Sequence, residues 1–440
     1  MFSRRAEAHP FSAVGIRPVA NVAGIAQLQT AEPMRALRFT SAMLCVTLLL
    51  QRFGLLMGSS AVSLVGPIGI ATAAFALATD TLALNRFRLK TYLLLALCVV
   101  TGLVWHSATP GGSIGGEPNL QSLSQYLLLT SFAVLTFAEP IDERYFFRKV
   151  NSWFAFIAAA GMLQFFVQFL GLRIFAFAGI LPKFMLIEFA YNLQIPLGIG
   201  SVMKSNGFFL IEPSAFSQIM ALGLIIEILA FKRLTYLLLF FAGLVLSFSG
   251  TGWIVLSSFI VVAALGMGWR GIAMAGATVI LLAVLLGVGS YMLPDVAGAI
   301  AQRSTELSRP GTSGHLRFIT PFWALHDMLA ERPSAALLGL GAGVSERLNL
   351  TYEYDVNTPI KIALDYGFPT LLSYVLLFIG GRKSPIQAGI LVPACILFFF
   401  TGGYQQFPPM LFLILLLTSV ARLRPSLDVL PVRQSHPDRV

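Results

Sequence analysis

The chain has 440 residues, of which 56% are apolar and 11% charged, where an average soluble domain carries about 25% charged residues. A mean hydropathy of +0.79 along nearly the whole length excludes a soluble multidomain enzyme and leaves a polytopic membrane protein. The formal charge of +10, from 30 Lys and Arg against 20 Asp and Glu, would point to nucleic acid in a soluble chain; here the cations must first be assigned to the two sides of a membrane.

Residues 1–35 contain Arg4, Arg5, Arg17 and Arg35 but no compact apolar stretch ahead of a cleavage site, so they are expected to be a cytoplasmic tail rather than a signal peptide. Apolar runs follow at 39–57, 60–80, 91–106, 123–138, 152–172, 214–231, 234–248, 252–269, 271–293, 361–380, 386–402 and 408–421. A bilayer crossing takes about 20 apolar residues, so an all-α polytopic domain over 36–421 with about twelve transmembrane helices, or eleven to thirteen, is predicted. Residues 422–440 form a second short tail. Most Lys and Arg residues fall in the two tails or in short loops on the same side, the loops holding Arg86, Arg88 and Lys90; Arg144, Arg148 and Lys149; Lys232 and Arg233; Arg270; Arg382 and Lys383. Short basic loops stay in the cytoplasm, so both termini are expected inside. The net basic charge is then a topology signal, and no nucleic-acid partner is expected. Cys45, Cys98 and Cys395 lie in apolar runs at spacings that suggest neither a disulfide framework nor a metal cluster.

Polar residues kept near hydrocarbon mark function, and they concentrate in two outer loops, 173–213 and 294–360. The first ends in Lys204-Ser205-Asn206-Gly207-Phe208-Phe209-Leu210-Ile211-Glu212-Pro213-Ser214 at the mouth of the sixth run. Glu212-Pro213 can equally be a simple helix start, with Ser214 supporting the first turn. In the second loop, Leu316, Ile319, Phe322, Trp323 and Leu329 recur at helical spacing with Arg317, His326, Asp327 and Glu331 largely between them, as in an amphipathic helix lying at the interface. Arg303, Arg309 and Arg317 crowd this region, and guanidinium groups bind phosphate oxygens bidentately; the competing reading is a helix that only covers the bundle.

Gly339-Leu340-Gly341-Ala342-Gly343 lacks the surrounding βαβ unit of a dinucleotide site and is expected to be a tight turn, its N–H groups free to face an anion. Glu353 and Asp355 alone make a weak metal site, and His315 is a lone histidine. Asn357 opens the tenth run, where Lys361 and Asp365 stand one turn apart and can pair. Tyr404-Gln405-Gln406 offers an uncharged rim suited to sugar or to a wet loop.

From Lys204 onward the chain resembles the bacterial O-antigen polymerase and O-antigen ligase superfamily. The resemblance rests on Lys204, Gly207 and Phe209 leading through Glu212-Pro213-Ser214, on a Ser/Gly/Thr turn from Ser247 to Gly252, and on Ser313, Gly314 and Arg317. It continues through the Gly339–Gly343 segment and an Asn-led helix reaching Gly367. It implies a GT-C-like membrane glycosyltransferase of the inner membrane, without cofactor or metal, acting at the periplasmic face. Its donor would be a glycan on undecaprenyl diphosphate. Ligases of the group carry a His before the motif Asn, where this chain has Val356, and an Arg is commoner at Lys204. The missing His favours a polymerase of O-antigen, capsule or exopolysaccharide, with a ligase as the alternative. Membrane lipid, a chain-length regulator and export machinery are its expected partners.

On that reading, Arg317, Arg303, Arg309 and Lys204 are candidates for a diphosphate clamp. Glu212 and then Asp365 are candidates for the proton acceptor, ahead of Glu353 and Asp355. Asn357, Lys361, Tyr404 and Gln405 are candidates for sugar contacts. The rival from another class is a twelve-span transporter or glycan flippase. Such carriers show two related halves and midplane sites, whereas no internal repeat is seen and Glu227 is the only acid placed within a span, near its inner end.

Overall fold

The computed structural model describes residues 22–57, 60–108, 119–172, 177, 181–187, 195–197, 202–269, 273, 276, 308–348 and 352–425. The ninth apolar run and Arg303 lie outside the described residues, save for positions 273 and 276. The other eleven runs each contain helix. Its main elements in the first two thirds are α1 (Val22–Leu49), β1 (Gly54–Met57), β2 (Ser60–Ser63), α2 (Val65–Ala78), β3 (Leu82–Leu84), α3 (Arg86–Ala108) and α4 (Leu120–Ser131). Then come β4 (Leu135–Phe137), β5 (Ile141–Asp142), α5 (Glu143–Val167), α6 (Pro213–Ala230), α7 (Leu234–Leu246) and α8 (Gly250–Gly266). Among the described residues, three stretches, Arg86–Ala108, Glu143–Leu170 and Pro213–Ala230, are long and apolar enough to cross a membrane. The 23 residues of α3 give a length of about 34 Å, against a hydrocarbon core of about 30 Å.

Local signals explain the helix starts. Asn119 caps α4 by accepting the Gln121 and Ser122 N–H groups at 3.0 and 3.1 Å, and Asp142 caps α5 through Arg144 and Tyr145. Ser384 and Gln387 form a capping box at the helix Pro385–Phe400. Pro213, Pro385 and Pro408 stand in first turns, where the missing N–H costs nothing.

The centre of the bundle is α6, apolar on every face and buried almost throughout, as expected of a helix with no solvent side. It packs on α5, α7, α8 and the Pro385–Phe400 helix. The Ser247–Gly252 turn serves this contact: a Cβ at Gly252 would stand 2.4 Å from the Ser217 carbonyl oxygen, so only glycine lets α8 approach α6 so closely. The Gly252 N–H donates to Ser217 Oγ at 3.0 Å, and Ser217 Oγ donates to the Ser214 carbonyl at 2.7 Å. By contrast, α3 turns Leu93, Leu94, Leu97, Val100 and Val104 outward, a surface suited to lipid and not to water.

At the end of α6 away from Glu212, Glu227 is fully buried and held by Arg233 Nε and Nη2, both at 2.8 Å, and by Asn151 Nδ2 at 3.0 Å. These bonds lock the end of α6 to Arg233 and α5. At that same end of the bundle, β3 pairs with β4, and β5 with β6 (Leu423–Arg424), while Arg88 donates to the carbonyls of Leu135 and Ser419. The loops expected inside thus contact one another.

Four expectations need correction. The first helix ends at Leu49, short of residue 57, because Arg52 is buried and donates to the Leu210 carbonyl at 2.8 Å, after which the chain turns into the β1–β2 hairpin. The tenth run is two helices, Thr358–Tyr366 and Phe368–Ile379, broken at Gly367. The amphipathic helix is also two, Ser313–Phe318 and Thr320–Glu331, and the second buries Thr320, Pro321, Ala324 and Met328 while Phe322 and Trp323 stay exposed. Its packed stripe therefore runs through Ala324 and Met328, and its two aromatic side chains face outward. Helix α1 also begins at Val22, inside the segment expected to be tail.

Candidate active site

A cleft of about 480 Å³ opens at the end of the bundle where α6 begins, within the size range of small-ligand sites. Four stretches far apart in sequence build it: Ile211 to Ala215, the helix bearing Arg317, the segment from Ser345 through Tyr354 to Lys361, and the link Thr401 to Phe407.

The Glu212 backbone is extended at the N-cap of α6, but its side chain caps nothing. Its carboxylate lines the cleft and accepts the Ser214 hydroxyl at 2.6 Å. The helix-start reading accounts for the backbone of this residue and leaves the carboxylate available for chemistry. Arg317 also lines the cleft and pairs with Asp355 through Nε at 2.9 Å. Burial by itself would lower the Arg317 guanidinium; the nearby charges of Asp355 and Glu212 more than offset this and raise it above its ordinary value. Arg317 is thus a permanent cation that senses the Glu212 carboxylate across the cleft.

Lys361 does not pair with Asp365. Its ammonium reaches the cleft and meets the Glu346 carboxylate. Asp365 is buried away from the cleft lining, and its Oδ1 accepts the Ser345 N–H at 2.8 Å. The Gly339–Gly343 turn explains why. Gly339, at φ +70°, is pressed so closely on the Asp365 backbone that a Cβ would lie 2.4 Å away. Leu340 and Gly341 then donate to the carbonyls of Leu364 and Asp365 at 2.7 and 3.1 Å. The turn caps the C-terminal end of the Thr358–Tyr366 helix, satisfying carbonyls that would otherwise lack partners, while the Asp365 carboxylate is held by the Ser345 N–H just beyond it.

Asn357 is the N-cap of that helix, accepting the Ile360 N–H at 3.2 Å, and is outside the cleft lining. Tyr404 lines the cleft, whereas Gln405 is buried and Gln406 faces the cleft in its place. Residues 404–406 form a 3-10 turn, in which successive side chains rotate by about 120°, so the middle one points inward. Lys204 and Arg309 are not lining residues; the Lys204 N–H donates to the Ile195 carbonyl at 3.0 Å, and Arg309 is exposed at the turn before residue 313. His315 is buried edge-on to Trp323. Among the described residues no three His, Cys, Asp or Glu side chains come together as a metal-ligand set.

Sequence reasoning missed Glu346, Tyr354 and Gln218. Gln218 lies one turn beyond Ser214, fully buried, and its Nε2 donates to Thr401 Oγ1 and to the Tyr404 phenol oxygen, each at 3.0 Å. It ties α6 to the 401–407 link and fixes Tyr404 in the wall. A single amide near the start of a mostly apolar helix was the available signal; nothing local marks Glu346. Burial raises the Tyr404 phenol, and burial with the Asp365 and Glu346 charges pushes Tyr354 up to about 12. Both phenols are therefore neutral hydrogen-bonding groups at neutral pH and not proton acceptors, which leaves the carboxylates for that task.

The cleft thus combines two cations, three carboxylates, two phenols and an amide, a set that can hold a charged leaving group beside a hydroxyl to be deprotonated. A family model described as WcaD colanic acid polymerase matches residues 45–360 of the chain. None of the curated proteins matches it.

Proposed function

Because the chain belongs to the WcaD colanic acid polymerase family, and is therefore a membrane-embedded polysaccharide polymerase and a glycosyltransferase, we propose that this cleft performs the transfer. The donor is a glycan on undecaprenyl diphosphate, the acceptor is a second lipid-linked oligosaccharide, and the cleft faces the periplasm of a bacterial inner membrane. The observation that carries the assignment is that Arg317, Lys361, Glu212 and Tyr404, from segments almost two hundred residues apart, line one cavity.

An acceptor hydroxyl attacks the anomeric carbon of the donor. The bond from that carbon to the diphosphate oxygen breaks, and its electron pair leaves with the diphosphate. Arg317 and Lys361 face the charge that builds there, a stabilisation that acts most strongly in a site shielded from water. Glu212 takes the hydroxyl proton as the new bond forms, with Ser214 orienting its carboxylate. Tyr404, held by Gln218, gives the sugar a neutral partner for its hydroxyls. On this reading the two side-chain cations supply the countercharge that a divalent metal supplies elsewhere.

The expected loop sidedness supports the periplasmic placement, because the cleft residues fall in the expected outer loops or at the adjoining ends of the apolar runs. Turnover decides the proposal. Purified protein in liposomes, given a lipid-linked repeat unit, is expected to yield a ladder of polymer lengths; folded protein that leaves single repeats untouched would overturn it.

A further inference from the structure

Both cleft cations already hold a counter-ion, and the two pairs share an asymmetry. The cations belong to the frame: the Lys361 side chain is 5% exposed and that of Arg317 26%. Their partners, Glu346 and Asp355, are 60% and 50% exposed, and both come from the short stretch between the glycine turn and the Thr358–Tyr366 helix. The backbone around each is fixed, by the Arg347 N–H on Val344 O at 2.8 Å and the Asp355 N–H on Leu316 O at 3.0 Å. A side-chain rotation alone therefore returns either carboxylate to water.

Exposed carboxylates lose little on leaving such a pair, whereas a shielded cation left without a partner is costly. A diphosphate esterified at both ends carries two negative charges and matches the two cations; a monoanionic phosphodiester matches only one. We propose that Glu346 and Asp355 are exchangeable counter-ions that make the cleft selective for a diphosphate, which displaces both from Lys361 and Arg317 in a two-for-two exchange. This rests on the anion-site reading given above. After transfer the carrier keeps its diphosphate, now free at one end and more negative, and the returning carboxylates compete with it and speed its release. Glu346 and Asp355 are specificity-determining residues that act through the cations.

The test uses the full chain in nanodiscs at fixed ionic strength, with inorganic pyrophosphate and inorganic phosphate as probes. Asp355→Asn and Glu346→Gln keep size and hydrogen bonding while removing the charge. Each is expected to tighten pyrophosphate binding about three- to tenfold, and the double variant to narrow the preference for pyrophosphate over phosphate. In turnover the same variants are expected to lower KM for the donor and to lower kcat through slower release. Unchanged or weaker pyrophosphate binding in both variants, with binding still lost in Arg317→Ala, would overturn the exchange while leaving the anion site standing. Pyrophosphate binding indifferent to both Arg317→Ala and Lys361→Met would overturn the anion site itself, and the exchange with it.

Discussion

Replacing Glu212 by Gln isolates the proton-transfer step more cleanly than any other change in the cleft. The side chain makes no helix cap, so α6 loses no terminal hydrogen bond. The amide oxygen of Gln still accepts the Ser214 hydroxyl, which the carboxylate now accepts at 2.6 Å. What disappears is the ability to take a proton, together with one negative charge facing Arg317. Loss of a positioned general base costs about 10²- to 10⁴-fold in rate, equivalent to about 2.7 to 5.4 kcal/mol of barrier. The Glu212→Gln protein is therefore expected to reach wild-type levels in the membrane, to bind the lipid-linked donor at least as well because a repelling charge has gone, and to accumulate single repeat units. Quantitative gels of polymer length, alongside initial rates with purified protein, measure this. Elongation by Glu212→Gln within tenfold of wild type would remove Glu212 as the base and point to Asp355, the next carboxylate of the cleft.

Four other outcomes follow from the same geometry. Arg317→Ala is expected to lower kcat about 10²- to 10³-fold, the usual cost of losing one preorganised charge donor, and Arg317→Lys to recover only part of it because a point charge does not reproduce the guanidinium fork; equal recovery by Lys in a rate assay would argue for charge alone. Turnover by purified protein is expected to persist in EDTA, since Arg317 and Lys361 supply the countercharge; loss restored by Mg²⁺ would contradict that division of labour. Gln218→Leu removes both amide hydrogen bonds of the buried Tyr404 phenol and is expected to cost about 1 to 3 kcal/mol, read as a lower thermal midpoint and a raised acceptor KM. Finally, burial and the neighbouring Arg88 charge push Lys383 down to about 7. Its folded pKa is below the unfolded one, so the unfolded chain binds more protons between about pH 7 and 10.5, and stability from this group rises with pH across that window; Lys383→Met is expected to flatten the rise in denaturation midpoint.

The helices were legible because lipid leaves a simple imprint: with no water to satisfy the backbone, a crossing segment must be helical and apolar. The places where that reading failed are instructive. Arg52 ends α1 early because a buried guanidinium requires acceptors, which it finds at Leu210, 158 residues away. Gly367 breaks the tenth run because its partner contact is with Leu337. Thr320–Glu331 buries Ala324 and Met328 rather than its Phe and Trp because the surface it covers is the packed Thr358–Tyr366 helix. Each depends on a distant neighbour, and none is written in local periodicity.

For the site, the sequence by itself selected the kinds of residue that matter, because charge and hydrogen-bonding groups near hydrocarbon are expensive and stand out. Glu212, Arg317, Lys361 and Tyr404 were visible for that reason, and so was the polymerase resemblance carried by Gly207, Gly314 and Gly339. Only the tertiary structure decided which of them meet. It sent Lys361 to Glu346 and not to Asp365, turned Gln405 inward and Gln406 toward the cleft, and made the glycine run a helix cap rather than an anion cradle. A pairing between charges is set by distance and shielding, and both are properties of how the helices pack against one another.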